Sequence, residues 1–399
     1  MKLFAVCSPG LERFVARELG QLSLSASPPT DKEVSDERGG IEFKGSLMDV
    51  YRCNLHLRTA SRVLVRLGSF YAAGFPELRR KASRLSWEDY VTAEKPLEIR
   101  VTCHKSRLYH QRAVAERIEG SVSDRLGHPV QIAPDNGDTA TDSPSQNPAS
   151  RVLGQGRRVE PQLVLVRLLK DQCTISIDSS GELLHRRGYR LAASKAPLRE
   201  TLAAAMLLAS GWDGASPLLD PFCGSGTIPI EAALMARHIP PGRGRHFAFM
   251  EWPSFSGDAW DSLLLEKSPS YPSSFPKIVA SDRDAGAIQA AQANAERAGV
   301  VDGIAFSCHA VSSIEPPPGP GWVVTNPPYG VRTTTNQDLR NLYAQIGKVL
   351  RAKCLGWQIT VLCSSAHLLA GTRLELDPGI PLTNGGIKVR LVRGIVNEG

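Results

Sequence analysis

Leu218-Leu219-Asp220-Pro221-Phe222-Cys223-Gly224-Ser225-Gly226-Thr227-Ile228 decides the fold. A short apolar strand, Leu218 to Asp220, ends on an acid and a proline. A glycine turn follows and opens a helix over Ile228–Ala236. Small residues after a strand let backbone approach a ligand closely, and the helix start adds unpaired N–H groups. Phosphate takes that place in P-loops, but the Gly-Lys-[Ser/Thr] ending of an NTPase is missing here. A tight strand–helix turn by itself uses the same glycines. The acid ahead of the turn makes the motif sharper, because it is placed to pair with a ligand's ammonium group.

The surrounding pattern extends this reading. Leu198–Leu208 and Ala285–Ala298 have helical spacing, as does Leu339–Leu350. Ile278–Ala280, Gly321–Thr325, Gln358–Cys363 and Ile387–Val392 read as strands. The alternation predicts an α/β fold, a Rossmann-like, doubly wound and mostly parallel sheet. Such sheets bind ligands beyond the carboxyl ends of their strands, where two further motifs fall. Asp282 follows Ile278–Ala280 and is suited to accept the two ribose hydroxyls of a nucleoside. It lies much further from Gly226 than the ~20 residues of a minimal dinucleotide unit. The excess falls in Pro240–Pro276, which reads as an insertion on one rim. Asp284 reads as a helix cap.

Thr325-Asn326-Pro327-Pro328-Tyr329-Gly330 closes the third strand. Two prolines remove backbone donors and fix the turn, leaving carbonyls outward. An exocyclic amine is a poor nucleophile because its lone pair is delocalised into the ring. Hydrogen bonds from that amine to the Asn326 side-chain oxygen and the Pro327 carbonyl free the lone pair, and Tyr329 can stack on a base. Attack on a sulfonium methyl then needs no strong general base. Adenine, guanine and glutamine amines all remain open as acceptors on this motif alone.

Hydrophobic residues make up 42% of the 399 and charged residues 22%, which indicates a core-forming chain of two or three domains. The formal net charge of +7 suits a polyanionic partner. The eight cysteines form no C-x-x-C pair, so neither a metal site nor a disulfide framework is expected. No stretch reaches the ~18 apolar residues of a membrane span, and a soluble cytoplasmic protein is the expectation. Ahead of the sheet, Met1 to Phe70 alternates strand and helix. Leu97–Val101 reads as a strand, His110–Ile118 as a helix, and Gln162–Leu168 with Thr174–Ile177 as an antiparallel pair. Pro134–Pro161 is polar and without periodicity, and reads as a disordered insertion. Basic residues gather as Arg58, Arg62 and Arg66, as Arg79, Arg80, Lys81 and Arg84, and as His104, Lys105, Arg107 and Arg112 around Tyr109. Arg79, Arg80, Lys81, Lys105, Arg107 and Arg112 are the candidates for phosphate contacts; solvated helix faces would look the same.

Asp220-Pro221-Phe222-Cys223-Gly224-Ser225-Gly226-Thr227 together with Asn326-Pro327-Pro328-Tyr329-Gly330 resembles the THUMP-domain RNA guanine-N2 methyltransferases, nearest the large-subunit (23S) rRNA branch. The likeness extends through Leu184–Arg190, Ala196–Ala205, Ile230–Ala233, Pro240–Gly242 and Asn384-Gly385-Gly386. It also includes Pro9–Glu12 and Gly39–Gly45, and covers nearly the whole chain outside Pro134–Pro161. The resemblance implies a ferredoxin-like unit over 1–70, an α/β THUMP RNA-binding domain over 71–178, and an S-adenosyl-L-methionine-dependent methyltransferase domain over 179–399. It implies that Asp220, Pro221, Cys223, Gly224, Ser225, Gly226, Thr227 and Asp282 border S-adenosylmethionine, with Asn326 beside them. Asn326, Pro327, Pro328 and Tyr329 would hold the base. Structured RNA is the implied partner, rRNA first and tRNA as the alternative, with a non-catalytic RNA-binding assembly factor as a further reading. Some relatives carry a second methyltransferase fused after the first, which this chain is expected to lack. One departure stands out: relatives place an acid for the adenine amine where this chain has Ala310.

Overall fold

The computed structural model describes residues 1–25, 39–133, 151–153, 157–190, 198–266, 275–329 and 336–398. From the amino end come β1 (Lys2–Val6), α1 (Glu12–Gln21), β2 (Gly40–Lys44), α2 (Leu47–His56) and β3 (Arg62–Tyr71). The helical spacing in α1 buries Phe14, Val15 and Leu19, and β1 lies between β2 and β3, antiparallel to both. Next are α3 (Phe75–Ala82), β4 (Leu97–His104), α4 (Gln111–Leu126), β5 (Arg151–Leu153), β6 (Arg157–Val159), β7 (Gln162–Leu169) and β8 (Gln172–Asp178). Because β3 pairs with β8, all but the β5–β6 ribbon join one six-stranded sheet, β2-β1-β3-β8-β7-β4. The boundary expected near residue 70 therefore falls inside β3, and the first two regions share one ladder of hydrogen bonds. Within the stretch expected to be disordered, 134–150 and 154–156 lie outside the described residues. Arg151–Leu153 and Arg157–Val159 pair antiparallel, a short hairpin that polar composition did not predict.

The second sheet uses α5 (Glu200–Ser210), β9 (Leu218–Asp220), α6 (Thr227–Ala236), α7 (Gly257–Leu265), β10 (Ile278–Asp282), α8 (Ala285–Arg297), β11 (Ile304–Cys308), β12 (Trp322–Thr325), α9 (Asn336–Lys353), β13 (Gln358–Cys363), α10 (Ala366–Gly371), β14 (Ile380–Asn384) and β15 (Ile387–Ile395). Its order is β11-β10-β9-β12-β13-β15-β14. The first five strands are parallel; β15 runs antiparallel to both β13 and β14. This is the doubly wound sheet that the alternation predicts. The strand order reverses between β9 and β12, and that is the position where such sheets leave a crevice for a ligand. Among the described residues, no helix is long and apolar enough to cross a membrane.

Residues 240–266, the described bulk of the Pro240–Pro276 segment, are not the rim insertion its composition suggests. The segment's aromatic residues Phe247, Phe249, Trp252 and Trp260 are buried and pack on one another and on elements of the first sheet. Phe249 stacks on Tyr51 of α2 with centroids 4.5 Å apart, and Trp252 meets the Tyr90 ring edge-on at 4.9 Å. The Trp252 indole N–H donates to Gln162 Oε1 at 2.9 Å, and the Phe249 N–H donates to the Ser179 carbonyl at 3.1 Å. Trp252→Phe keeps most of the apolar contact and strands the buried Gln162 oxygen, so it is expected to cost about 1–3 kcal/mol. Urea unfolding measures this, and an unchanged midpoint would show that the hydrogen bond contributes nothing to the join.

Candidate active site

Asp220 ends β9 and is 1% exposed. Its Oδ1 accepts the Thr325 hydroxyl at 2.7 Å and the Phe222 N–H at 3.2 Å. Among the described residues its buried Oδ2 has no hydrogen-bond partner. Burial pushes this carboxyl up to about 7, against the pull of the Thr325 and Phe222 donors and with a smaller push from Asp282. A buried, half-satisfied carboxyl is costly, and a cation or donor placed at Oδ2 would relieve that cost.

The glycine loop is held from three sides. Gly224 and Gly226 have φ of +51° and +85°, the left-handed region that favours glycine. A Cβ at Gly226 would stand 2.9 Å from Ala291 Cβ of α8, whereas one at Gly224 meets nothing within 4 Å, so that side of the loop is open. The Ser225 carbonyl accepts Asn294 Nδ2 at 3.0 Å, and the Thr227 hydroxyl accepts from Arg190 at 2.7 Å. Asn294 is buried and Arg190 partly buried, so the loop is braced from α8 and from the segment before α5. Pro221 is buried as well. Cys223 is buried, its N–H donates to the Ser281 carbonyl at 3.0 Å, and burial pushes its thiol up, so it stays protonated and is no nucleophile.

Asp282 closes the other wall. Its Oδ2 accepts the Gly224 N–H and its Oδ1 the Asp284 N–H, both at 3.0 Å. Each oxygen keeps a lone pair, enough for two hydroxyl donors. Asp284 caps α8 by accepting from Gly286 and Ala287. Beyond β11, Ala310 starts a short 3₁₀ turn, and His309 is spent locally on Ser307 Oγ and the Ala310 carbonyl. No carboxylate stands between Ile304 and Ile314.

Asn326 follows β12 directly, one residue past the Thr325 that holds Asp220. Its side-chain oxygen is buried and has no hydrogen-bond partner among the described residues. Pro327 is buried and Pro328 exposed. Tyr329 is partly buried; its phenol oxygen accepts Asn384 Nδ2 at 2.9 Å, and burial pushes its pKa up so that it stays neutral. Gly330 lies outside the described residues. Asp220, the glycine loop, Asp282 and Asn326–Tyr329 thus converge at the carboxyl ends of β9, β10 and β12. Thr325, Asn294, Arg190 and Asn384 join them. Thr325 opens the third motif without a role of its own, Arg190 and Asn384 stood out only within the blocks Leu184–Arg190 and Asn384-Gly385-Gly386 of the resemblance, and no local pattern marks Asn294.

The basic candidates separate. Arg58 is not on an exposed face: it donates to the Ile239 carbonyl at 2.7 Å between the two sheets. Arg62 pairs with buried Asp178, and Arg66 lies over the Phe4 ring at 4.1 Å. Their spacing of four falls on β3 and the turn before it rather than on a helix. Arg79 is exposed and forks onto Asp124 at 2.6 and 2.7 Å; Arg80 is exposed beside it. Lys81 bonds the Tyr71 carbonyl and Glu77, both at 2.8 Å. Lys105 and Arg107 sit in the loop after β4, where Asp171 of the β7–β8 turn accepts the Arg107 N–H at 2.7 Å. Arg112 starts α4 beside Glu116, and Tyr109 is 66% exposed. Lys81, Lys105 and Arg107 therefore share one end of the first sheet. The aromatic segment meets β7 and β8 at the opposite end, through Gln162 and Ser179. Among the described residues, no group of three or more His, Cys, Asp and Glu is placed to hold a metal ion.

Comparison with known proteins adds the following. Residues 187–392 match the RMKL-like methyltransferase domain, and residues 2–64 match the RlmL ferredoxin-like domain. A Synechocystis sp. protein named as an RNA methyltransferase is 33% identical over 98% of this chain and 95% of its own length. The ribosomal RNA large subunit methyltransferase K/L of Syntrophotalea carbinolica is 34% identical over 100% of this chain and 54% of its own, so the chain spans about half the length of that relative. Among solved structures, a methyltransferase complexed with S-adenosylhomocysteine superposes with a TM-score of 0.80 at 27% identity, covering 100% and 98% of the two chains. A Listeria monocytogenes protein described as an N6-adenine-specific DNA methylase gives 0.81 at 30%, covering 98% and 95%.

Proposed function

Because the chain belongs to the RMKL-like methyltransferase family, with an RlmL ferredoxin-like domain at its amino end, we propose that it methylates the exocyclic N2 amine of a guanine in large-subunit rRNA, using S-adenosylmethionine. The observation that carries the chemistry is the unpaired, buried acceptor at Asn326 beside the equally unpaired Asp220 Oδ2. A site with two orphaned acceptors at a strand switch point fits a donor-rich ligand pair: an ammonium group for Asp220 and an aromatic amine for Asn326.

The residues present fit the cofactor. Asp220 would take the ammonium, the open side of Gly224 would lie against the chain, and the two Asp282 oxygens would take the ribose hydroxyls. The Ala310 side chain cannot accept from the adenine amine, so at that end the cofactor would rest on backbone contacts and on the hold of Asp282 on the ribose. When bound, S-adenosylmethionine supplies an electrophilic methyl group on a sulfonium. Asn326 Oδ1, with the Pro327 carbonyl, accepts the hydrogens of the target amine and localises its lone pair for in-line attack. As the N–C bond forms and the S–C bond breaks, its electron pair returning to the sulfur of the departing S-adenosylhomocysteine, the amine becomes cationic and acidic, and its proton passes to water without a dedicated base. Tyr329, neutral and partly buried, offers a ring for the base to stack on. The target nucleotide must be unpaired or flipped to reach this pocket.

The relatives named for rRNA and for RNA support the polymer, and Lys81, Lys105 and Arg107 supply a basic end for structured RNA. The test is nucleoside mass spectrometry of rRNA and tRNA from a strain lacking the gene. One N2-methylguanosine is expected to vanish from 23S rRNA and return with the wild-type gene. Loss from tRNA alone sinks the rRNA assignment. Loss of N6-methyladenosine instead sinks the choice of guanine.

A further inference from the structure

The β14–β15 hairpin stands outside the motifs that hold the cofactor, yet its tip touches the residue expected to receive the base. β14 pairs with β15 so that Asn384 faces Ile387, and the two residues between them, Gly385 and Gly386, have φ of +54° and +81°. Two successive positive φ values make the tight turn that matches strand twist, and glycine adopts it without strain. The hairpin therefore presents Asn384 from a fixed last rung. β14 runs parallel to β12 and β13, because β15 is antiparallel to both β13 and β14. Its carboxyl end consequently lies on the same edge of the sheet as Asn326. From there Asn384 Nδ2 donates to the Tyr329 phenol oxygen at 2.9 Å.

We propose that Asn384 is a positioning residue for base recognition: by holding the Tyr329 hydroxyl it fixes the tilt of the ring on which the target base stacks. This rests on the function proposed above. A phenylalanine would serve for stacking alone, and a tyrosine in this place gains something only if its hydroxyl has a partner. Burial keeps the phenol neutral, so the oxygen accepts from Asn384 while its own proton stays available to a neighbouring acceptor. The other end of the ring is fixed by packing, since Tyr329 lies against the buried cores on both faces of the second sheet. Packing sets the rotation of the ring about its Cβ–Cγ bond, and a hydrogen bond at the phenol oxygen, which lies on that axis, removes the rocking of the ring's far end.

The experiment is a double-mutant cycle of Asn384→Ala and Tyr329→Phe, with methyl transfer followed on total RNA from the deletion strain. Each single change is expected to lower kcat about tenfold, with the KM for cofactor unchanged, and the pair is expected to lower it no further. Asn384→Asp, which can accept from the phenol instead, should recover most of the rate. A second tenfold loss in the Tyr329→Phe background would overturn the proposal, because Asn384 would then act by another route. Wild-type activity in Asn384→Ala would overturn it too. If the wild-type protein methylates no RNA, the functional reading fails, and the latch is read instead by NMR of ring-labelled tyrosine, assigned with Tyr329→Phe. The Tyr329 signal must shift in Asn384→Ala; an unmoved signal refutes the latch whatever the substrate.

Discussion

Asn326→Ala is expected to lower the rate of methyl transfer about a thousandfold and to leave cofactor affinity and the melting temperature nearly unchanged. The size follows from what the side chain does. It is the acceptor proposed to localise the lone pair of the amine, so its contribution is made as the N–C bond forms and falls on kcat. The unchanged stability follows from the structure. The Asn326 oxygen has no hydrogen-bond partner among the described residues, so truncation breaks no bond to it and removes a buried, unpaired acceptor. Transfer from methyl-tritiated S-adenosylmethionine to RNA, calorimetry with the cofactor and a thermal melt together read all three quantities. A variant with near wild-type turnover would refute the assigned role. A variant that fails to bind cofactor would move Asn326 from the base to the cofactor.

Asp220→Asn is expected to weaken cofactor binding about a hundredfold and, unusually for a change at a buried charged site, to raise apo stability above pH 7. The carboxyl is pushed up to about 7 from its ordinary 3.8 chiefly by burial. Between about pH 4 and pH 7 the folded chain therefore holds a proton that the unfolded chain has released. Stability falls as pH rises through that window and levels off above it. Asparagine carries no such proton, still accepts from Thr325, and removes the decline. Binding runs the other way. An ammonium group prefers the carboxylate, so wild-type affinity should be about tenfold weaker at pH 6 than at pH 8, with a proton released on binding below pH 7. Calorimetry in two buffers of different ionisation enthalpy measures that proton. Asp220→Asn should show weak binding that is flat over the same range. Retained wild-type affinity would mean that the ammonium lies elsewhere, and Asp282 would be the next carboxylate to change.

Much of this site was readable from the chain because its parts are local signals. The run from Leu218 to Ile228 needs only strand, turn and helix in succession, and Gly226 is explained as soon as a left-handed turn is required. Asp282 and Asn326 each follow an apolar strand, and strand order puts both ends together. The supports were not readable. Thr325 on Asp220, Asn294 on Ser225 and Arg190 on Thr227 are hydrogen bonds between residues distant in sequence, and a threonine, asparagine or arginine carries no periodicity that announces its partner. The aromatic residues between Pro240 and Pro276 looked like a rim because they follow neither a helical nor a strand period. Burial against a neighbouring sheet does not require one.

The sequence alone therefore determined the doubly wound architecture, the strand-end placement of the three motifs and the kind of chemistry they permit, because each depends on backbone preferences and spacing within a few residues. Tertiary structure alone decided that the first two regions share one sheet, that Phe249 and Trp252 pack against the elements of that sheet, and that the basic residues divide between a buried interface and an exposed tip. It also left Asp220 and Asn326 each with an unpaired acceptor and gave Tyr329 a partner in Asn384. These are matters of which surfaces meet and which polar atoms lose water without gaining a bond, and only the packed chain sets them.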